Sequence, residues 1–400
     1  MTARSEPGTV PGDHGSGRLP GLDLLRAAAI SWVLLYHATL FDLVPKPGAA
    51  APVVAFGWMG VDLFFVLSGY LIGGQLFRPL ARGERLDFGG FYLRRALRTL
   101  PAYLVVVAVY FLWPGLREWP DIQPLWRFLS FTANLALDIS RPKTFSHVWS
   151  LCVEEQFYLV FPMVVALLAL RPRAWKVIAA AVAVLVLGML LRWGIWLHFV
   201  GPHEVGGVKS GFSLAYLKYI YYPTWTRLDD LLGGAMVAAL RVFRPRLWTA
   251  ILRRANLMLV AGIGGVALSI RVFGGEATEL VPAIFAYPLL AGSLSLIVAA
   301  GASERSVIGR YAVPGARSLA MGAYSLYLSH KIVFHLVQVH LSASLAHYPC
   351  AAFGVALFAA LVLGAALYWL VERPFLKLRD RLGGRARTAR TAAAIDPAAA

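Results

Sequence analysis

The 400-residue sequence is poor in charge and in cysteine, and each shortage excludes a class of protein. Charged residues make up 15% of the chain, hydrophobic residues make up 58%, and mean hydropathy is +0.64. This composition excludes a soluble globular enzyme and predicts a polytopic membrane protein. The two cysteines, Cys152 and Cys350, both fall in apolar runs, so they indicate neither a disulfide framework nor a metal site.

A secretory signal pattern and an internal repeat are also missing. Residues 1–18 are polar and rich in Gly and Pro, with no apolar core or cleavage pattern. No repeat of fixed period is visible, so the sequence gives no support for the duplicated architecture of many transporters. Acidic residues are few, and the net charge is +17. The basic residues lie in short loops between apolar runs, which indicates membrane orientation and no nucleic-acid partner.

The apolar runs predict an all-α bundle of about ten transmembrane helices. With a cytoplasmic N-terminus, the predicted inner segments hold 26 Lys and Arg residues and the outer segments hold 7, so both termini are predicted to be cytoplasmic. We expect a flexible N-terminus over 1–18, a membrane domain over 19–378 and a basic, disordered tail over 379–400. The predicted spans are about 21–42, 54–76, 99–114, 147–170, 175–199, 224–241, 255–273, 281–301, 317–340 and 350–372.

The first predicted span carries ionisable residues on one face. Arg26 and His37 are 11 positions apart, which is close to three helical turns and about 16 Å of rise. Such a stripe is costly in hydrocarbon unless it faces protein or water, and ionisable groups inside membranes are usually functional. A buried salt bridge beside a core histidine is the alternative interpretation.

Acidic residues of two further spans are predicted at the depth of His37. Asp62 lies about two turns below the predicted outer surface, and Glu154 and Glu155 lie two to three turns below it. A histidine with a nearby carboxylate is a plausible general base, because the carboxylate orients the ring and stabilises its charged form. We therefore expect these four residues to form a catalytic group, although the Glu pair also fits a structural role.

Basic residues cluster on the opposite, predicted cytoplasmic side. Arg94, Arg95 and Arg98 lie in the predicted loop that enters the third span, and Arg26 lies on the same side. Guanidinium groups bind phosphate through paired hydrogen bonds, so the cluster predicts an anchor for a phosphate-bearing donor. The three loop arginines also fit simple positive-inside topology.

Three other polar residues are weaker candidates for binding the acceptor substrate. Asp229 and Asp230 begin the sixth span, where a helix N-terminus also favours acidic side chains. His330 lies within the ninth span and is predicted to line a pore. No arrangement of these residues indicates a metal site, so no metal is predicted.

Several stretches together resemble the membrane acyltransferase type 3 family. They are GVDLFFVLSGYLIG (60–73), FYLRRALRTLPAYLV (91–105), HVWSLCVEEQFYLVFP (147–162) and the spacing of Arg26 and His37. Looser matches occur at 226–238, 323–330 and 371–375. The resemblance covers about residues 18–378 and rests on motifs in the same order.

The resemblance implies an acyl-CoA-dependent O-acyltransferase of the bacterial inner membrane. The acyl group, often acetyl, would pass from acyl-CoA to a hydroxyl of a glycan or a macrolide. Arg26 and His37 match the essential Arg and His of the family, and Arg95 and Arg98 match its Arg-x-x-Arg motif. Glu154 and Glu155 match its paired acids. The alternative from another class is a transporter without covalent chemistry, which would release no thiol from acyl-CoA.

Overall fold

The computed structural model describes residues 19–44, 51–138, 141–203, 214–275, 279–345 and 347–382. These residues form helices joined by turns and loops, and no strand occurs among them. The predicted all-α class is therefore confirmed. The N-terminus over 1–18 and the tail from 383 onward lie outside the described residues.

Fifteen α-helices can be delimited in the described residues. They are α1 (Pro20–Leu40), α2 (Ala51–Ala55), α3 (Met59–Ala81), α4 (Phe88–Leu112), α5 (Leu125–Leu129), α6 (Trp149–Ala169), α7 (Ala174–Ile195), α8 (Leu214–Tyr216), α9 (Asp229–Phe243), α10 (Pro245–Ile251), α11 (Ala255–Gly275), α12 (Leu280–Gly301), α13 (Val307–Arg310), α14 (Ala316–Leu345) and α15 (Pro349–Leu367). Helix α15 continues through a π-helical turn, Tyr368–Glu372, to Leu382, four residues into the segment assigned to the tail.

Within the part of the chain that the structure describes, seven helical segments are long and apolar enough to cross a membrane: those of α3, α4, α6, α7, α10–α11, α12 and α15. The chain is thus a multi-pass membrane protein. Helices α1, α9 and α14 coincide with the other three predicted spans but do not meet the same criterion of length and composition. Ten spans and cytoplasmic termini stay predictions.

Burial separates central from peripheral helices. In its most apolar window α3 is 78% buried, whereas α7 is only 6% buried. Large apolar side chains of α7, among them Val182, Leu187 and Leu190, are exposed. In a membrane such a surface contacts lipid, so α3 belongs to the core and α7 to the lipid-facing rim.

Helices α3 and α9 pack closely because each presents a glycine to the backbone of the other. A Cβ on Gly69 would lie 2.0 Å from the Leu231 carbonyl oxygen, and one on Gly234 would lie 1.9 Å from the Val66 carbonyl oxygen. Neither position tolerates a side chain. Small residues that permit close backbone approach are a recurrent means of packing membrane helices.

Helix α4 begins earlier than the sequence predicts. Its N-cap is Asp87, whose side chain accepts a hydrogen bond from the Gly90 N–H at 2.9 Å, and the helix starts at Phe88 instead of near 99. The prediction that Arg94, Arg95 and Arg98 lie in a loop is therefore wrong. The early start carries these arginines on the second and third turns of the helix.

The connection between α4 and α6 covers one end of the bundle with aromatic side chains. Phe145 stacks on Tyr110 and on Phe128, with ring centroids 4.6 and 5.7 Å apart. Phe145 also contacts the ring of His147 edge-on at 5.1 Å. The aromatic cover thus shields His147, which immediately precedes α6, from the medium beyond that end of the bundle.

Candidate active site

A cavity of about 200 Å³ opens between α1, α3, α4, α6 and α14. Its apolar wall is interrupted by a concentrated set of polar groups. These are Arg26, Ser68, Gln75, Arg95, Arg98, Thr99, Ser150, Glu154, Tyr158, Tyr324, Tyr327 and Arg379. Four arginines and one glutamate line the cavity, and Arg379 is paired with Asp380 at 2.7 Å. The remaining positive charge favours an anionic ligand.

Glu154 belongs to this cavity and not to the surroundings of His37. The Ser68 hydroxyl donates to its carboxylate at 2.5 Å, and the cations that act on it are Arg95 and Arg98. The predicted layer that joined His37 to Glu154 is therefore corrected. The reason is the long α4, which carries the two arginines to the depth of Glu154.

Glu155 also lies close to the arginines. Its carboxylate interacts most strongly with Arg95, and also with Glu154 and Thr99. Glu155 does not line the cavity. The guanidinium of Arg95 stacks over the Tyr158 ring, 4.8 Å from its centroid. Aromatic stacking and flanking carboxylates fix the plane of a guanidinium, so these residues hold Arg95 in place.

The predicted arginines divide into two groups. Arg26, Arg95 and Arg98 all line the cavity, as does Arg379, which the sequence did not single out. Arg94 points elsewhere: its guanidinium lies 3.8 Å from the Asp87 carboxylate, with 42% of the side chain exposed. Arg94 is thus apart from the predicted donor anchor and supports the start of α4.

His37 is paired with another histidine. Its Nδ1 lies 2.7 Å from Nε2 of His330, and the two rings stack with centroids 4.9 Å apart. Within the described residues, the ionisable groups that act on His37 are Lys331, His330 and His147, and no carboxylate is among them. The expected carboxylate partner of His37 is therefore replaced by His330, a residue that the sequence assigned to acceptor binding.

The hydrogen bonds of His330 fix the tautomers of both neutral rings. His330 Nδ1 lies 2.9 Å from the Tyr327 carbonyl oxygen and 3.1 Å from that of Leu326. A carbonyl oxygen only accepts, so His330 Nδ1 carries the proton and its Nε2 is an acceptor. His37 Nδ1 must then be the donor of the 2.7 Å bond, which leaves a bare lone pair on His37 Nε2. A backbone carbonyl, His330 and His37 thus form a relay that ends in a base.

A third histidine completes a compact group. The His147 ring lies 5.1 Å from that of His330 and 6.0 Å from that of His37, centroid to centroid. We call His37, His147 and His330 the histidine cluster. Lys331 lies beside it and donates from Nζ to the Ser146 hydroxyl at 3.0 Å. The described residues contain no group of three or more His, Cys, Asp or Glu side chains placed to hold a metal ion.

Two hydroxyls join the cavity to the histidine cluster. Ser150 and Tyr327 line the cavity, and their hydroxyl oxygens are 2.6 Å apart. The Tyr327 hydroxyl also lies 2.8 Å from the His147 carbonyl oxygen, to which it donates. The cavity therefore ends one layer of side chains away from the cluster.

Of the remaining predicted acids, Asp62 and Asp229 are held in buried ion pairs. Asp62 pairs with Arg227 at 2.6 Å, and both side chains are fully buried. Asp229 forms a two-pronged pair with Arg192, at 2.7 and 3.1 Å. Asp230 is buried beside Asp62. The expected support of His37 by Asp62 is therefore corrected, since Arg227 occupies that carboxylate.

Sequence reasoning missed several residues of the site. His147 opens the stretch 147–162 that marked the fourth span, yet its ring was not assigned a role. Tyr327 precedes His330 on α14 and was not assigned a role, whereas in-membrane polarity marked Lys331, with His330, as a residue predicted to line the pore. Arg379 carried no such signal, because it follows the last predicted span.

Comparison with known proteins identifies the family. The model of a family described as an acyltransferase domain matches residues 19–370. OatA of Staphylococcus aureus, named an O-acetyltransferase, is 30% identical over 55% of this chain and 34% of its own. OatA of Listeria monocytogenes, named a peptidoglycan O-acetyltransferase, is 27% identical over 78% of this chain and 49% of its own.

The chain thus spans between about a third and a half of these curated relatives. No solved structure matches the chain. The family match covers most of the chain and includes the histidine cluster and all of the residues that line the cavity except Arg379. The chain belongs to the membrane acyltransferase type 3 family.

Proposed function

We propose that the protein is a bacterial inner-membrane O-acyltransferase that moves an acetyl or other short acyl group from acyl-CoA to a hydroxyl of a cell-envelope glycan. Family membership and relatives named as O-acetyltransferases support the reaction class. The observation that carries the proposal is the cationic cavity that ends at Ser150 and Tyr327, next to a histidine with a free ring nitrogen.

The cavity fits a slender anionic donor. Arg26, Arg95 and Arg98 supply guanidinium groups that match phosphate in geometry and charge. The volume of about 200 Å³ is below the roughly 300–1,000 Å³ of sites that enclose a whole drug-sized ligand. We infer that the phosphates of the donor bind at these arginines and the adenosine stays outside, while the pantetheine arm extends through the cavity and carries the thioester toward the histidine cluster.

The relay through His330 gives His37 the role of general base. His37 Nε2 accepts the proton of the acceptor hydroxyl, and the hydroxyl oxygen attacks the thioester carbonyl carbon. The carbon–oxygen ester bond forms, the carbon–sulfur bond breaks, and the thiolate leaves. The proton held by His37 passes to the thiolate, which gives free CoA thiol and restores the neutral ring. The two products, the ester and the thiol, together contain all the atoms of the two substrates.

The acceptor is inferred from the relatives. The Listeria relative is named for peptidoglycan, so we propose a peptidoglycan-type glycan hydroxyl as the acceptor. A macrolide acceptor, which the resemblance also allowed, has no observation in its favour here. A transporter without covalent chemistry is distinguished by the thiol, because it would release none from acyl-CoA.

The experiment measures donor binding and thiol release on purified protein in nanodiscs. Acetyl-CoA is titrated in the presence of a peptidoglycan-type glycan while thermal stability and free thiol are followed, for wild type, Arg98→Ala, His37→Ala and Arg253→Ala. Arg253 is an exposed arginine outside the cavity and serves as a charge-matched control.

We expect wild type and Arg253→Ala to be stabilised by acetyl-CoA and to release thiol. Arg98→Ala should weaken donor binding about 10- to 150-fold, since a hydrogen bond to a charged group contributes about 1.5–3 kcal/mol. His37→Ala should bind the donor and release no thiol above background. Wild type that neither binds acetyl-CoA nor releases thiol would contradict the proposal.

A further inference from the structure

The buried side chain of His147 is unusual in its hydrogen bonding. The residue is 2% exposed, and neither Nδ1 nor Nε2 makes a well-formed hydrogen bond among the described residues; the backbone of Tyr327 and Leu328 is close to the ring but not aligned for one. A neutral imidazole always carries one N–H, and leaving a buried donor unpaired is costly. Such orphaned groups are rare in folded proteins and call for a specific reason.

The backbone carbonyl of His147 is, by contrast, hydrogen-bonded. It accepts from the Tyr327 hydroxyl at 2.8 Å, and the Ser150 hydroxyl, which donates to Tyr327 at 2.6 Å, lies 3.3 Å from the same carbonyl oxygen. The preceding Ser146 hydroxyl accepts from Lys331. Phe145 has φ of +58°, a strained conformation for a bulky side chain. Backbone strain and several hydrogen bonds therefore hold in place a ring that makes no well-formed hydrogen bond itself. Such a combination is found at functional sites.

The His147 ring lies beside the predicted base, and its backbone carbonyl contacts a residue that lines the end of the cavity. It lies 6.0 Å from the His37 ring, centroid to centroid, and takes no part in the hydrogen bond between His37 and His330. The hydroxyls that hold its carbonyl, those of Tyr327 and Ser150, both line the cavity. A thioester that reaches past these hydroxyls to His37 meets the His147 ring at the same time.

We propose that His147 is a second catalytic residue, whose ring N–H binds the thioester carbonyl oxygen and stabilises the oxyanion that forms there. This inference rests on the proposed function. As the hydroxyl oxygen bonds to the carbonyl carbon, the π electrons move to the carbonyl oxygen, and the N–H of His147 donates to that oxyanion. When the carbon–sulfur bond breaks, the electrons return to the carbonyl. His147 keeps its proton throughout, whereas His37 takes one and gives it back.

The geometry also favours this role electrostatically. Lys331 places an ammonium group near the His147 ring, and its positive charge adds to the attraction for a developing oxyanion. Preorganised donors of this kind act strongly in a buried site, because they need no reorganisation when the charge appears. Removal of one such donor lowers kcat by about 100- to 1,000-fold in enzymes that form oxyanions.

The test combines kinetics with infrared spectroscopy of the bound donor. Four forms of the full chain in nanodiscs are compared: wild type, His147→Phe, His147→Gln and His340→Leu. Phenylalanine keeps the aromatic packing without an N–H, and glutamine restores an N–H. His340 is an exposed histidine on α14 and serves as the control. Donor labelled with carbon-13 at the thioester carbonyl reports the hydrogen bond through its stretching frequency.

We expect His147→Phe to lose about 100- to 1,000-fold in kcat, with KM for the donor within threefold of wild type. The carbonyl band of the bound donor should move to higher frequency in this variant and return toward the wild-type value in His147→Gln, with at least tenfold recovery of kcat. His340→Leu should match wild type.

Two results would overturn the inference in different ways. If wild type transfers the acyl group and His147→Phe keeps its kcat and carbonyl frequency, the oxyanion role fails while the proposed function stands. If the kcat of His147→Phe falls but the carbonyl band does not move and His147→Gln gives no recovery, His147 is structural. If wild type neither binds the donor nor releases thiol, the proposed function fails and this inference fails with it.

Discussion

Replacement of His330 tests the relay that makes His37 a base. In His330→Leu the Nδ1–H of His37 loses its acceptor at 2.7 Å and stays buried. An unpaired buried donor costs about 1–3 kcal/mol, and this cost falls on the tautomer whose Nε2 is free to accept a proton. At 1.36 kcal/mol per factor of ten, the competent fraction and kcat should fall about 5- to 160-fold.

The assay is thiol release under saturating acetyl-CoA and peptidoglycan-type glycan, with donor KM and thermal stability measured in parallel. KM should change little, because His330 does not line the donor cavity. In His330→Gln the amide oxygen can again accept from His37 Nδ1, so most of the lost kcat should return. His330→Leu with kcat within twofold of wild type would refute the relay. Equal losses in the Leu and Gln variants at unchanged thermal stability would assign the effect to something other than hydrogen-bond acceptance.

Two further predictions concern stability. Arg227→Met leaves Asp62 buried without its partner and should cost about 3–5 kcal/mol of unfolding free energy. The double variant Asp62→Leu/Arg227→Met should recover part of this loss. Thermal unfolding in detergent measures both variants, and additive losses would contradict the pairing. Gly69→Ala should lower the unfolding temperature sharply, because its Cβ has no room against α9. The control is Gly74→Ala on the same helix, which should not lower it, because this Cβ would meet only the end of Arg78 at 3.6 Å. Equal effects of the two variants would contradict the close α3–α9 contact.

The order of helices could be predicted from the sequence because hydropathy is a local property. Each predicted span overlaps one long helix, from α1 at the first span to α15 at the last. The start of α4 was misplaced by 11 residues, since Arg94, Arg95 and Arg98 lower the local hydropathy in its first turns. The helix accommodates them because Arg95 and Arg98 face a polar cavity and Arg94 faces Asp87.

The partners of the ionisable groups could not be predicted from the sequence. His37 and His330 are 293 residues apart, and depth along a helix does not say which neighbour faces which side. Depth alone placed His37, Asp62 and Glu154 in one layer, yet the rotation of each helix gives them different partners. His37 meets His330, Asp62 meets Arg227, and Glu154 meets Ser68.

The donor anchor was the part of the candidate site that could be predicted best from the sequence. Arg26, Arg94, Arg95 and Arg98 were grouped from charge and predicted depth, and the structure brings all of them except Arg94 to one cavity. Arg379 joins them from a helix that continues beyond the last predicted span, so no local signal marked it. The tautomer of His37 is assigned from the hydrogen bonds of His330 to two backbone carbonyls of α14. No pattern of residue types predicts these bonds.

The most direct test of the proposed reaction follows the acyl group itself. Purified protein in nanodiscs is given acetyl-CoA labelled in the acetyl group together with a peptidoglycan-type glycan, and label on the glycan is counted against free CoA thiol. We predict one base-labile ester on the glycan for each thiol released, and neither product above background with His37→Ala. Glycan or donor that crosses the bilayer unchanged, with no ester and no thiol, would contradict acyl transfer and favour transport.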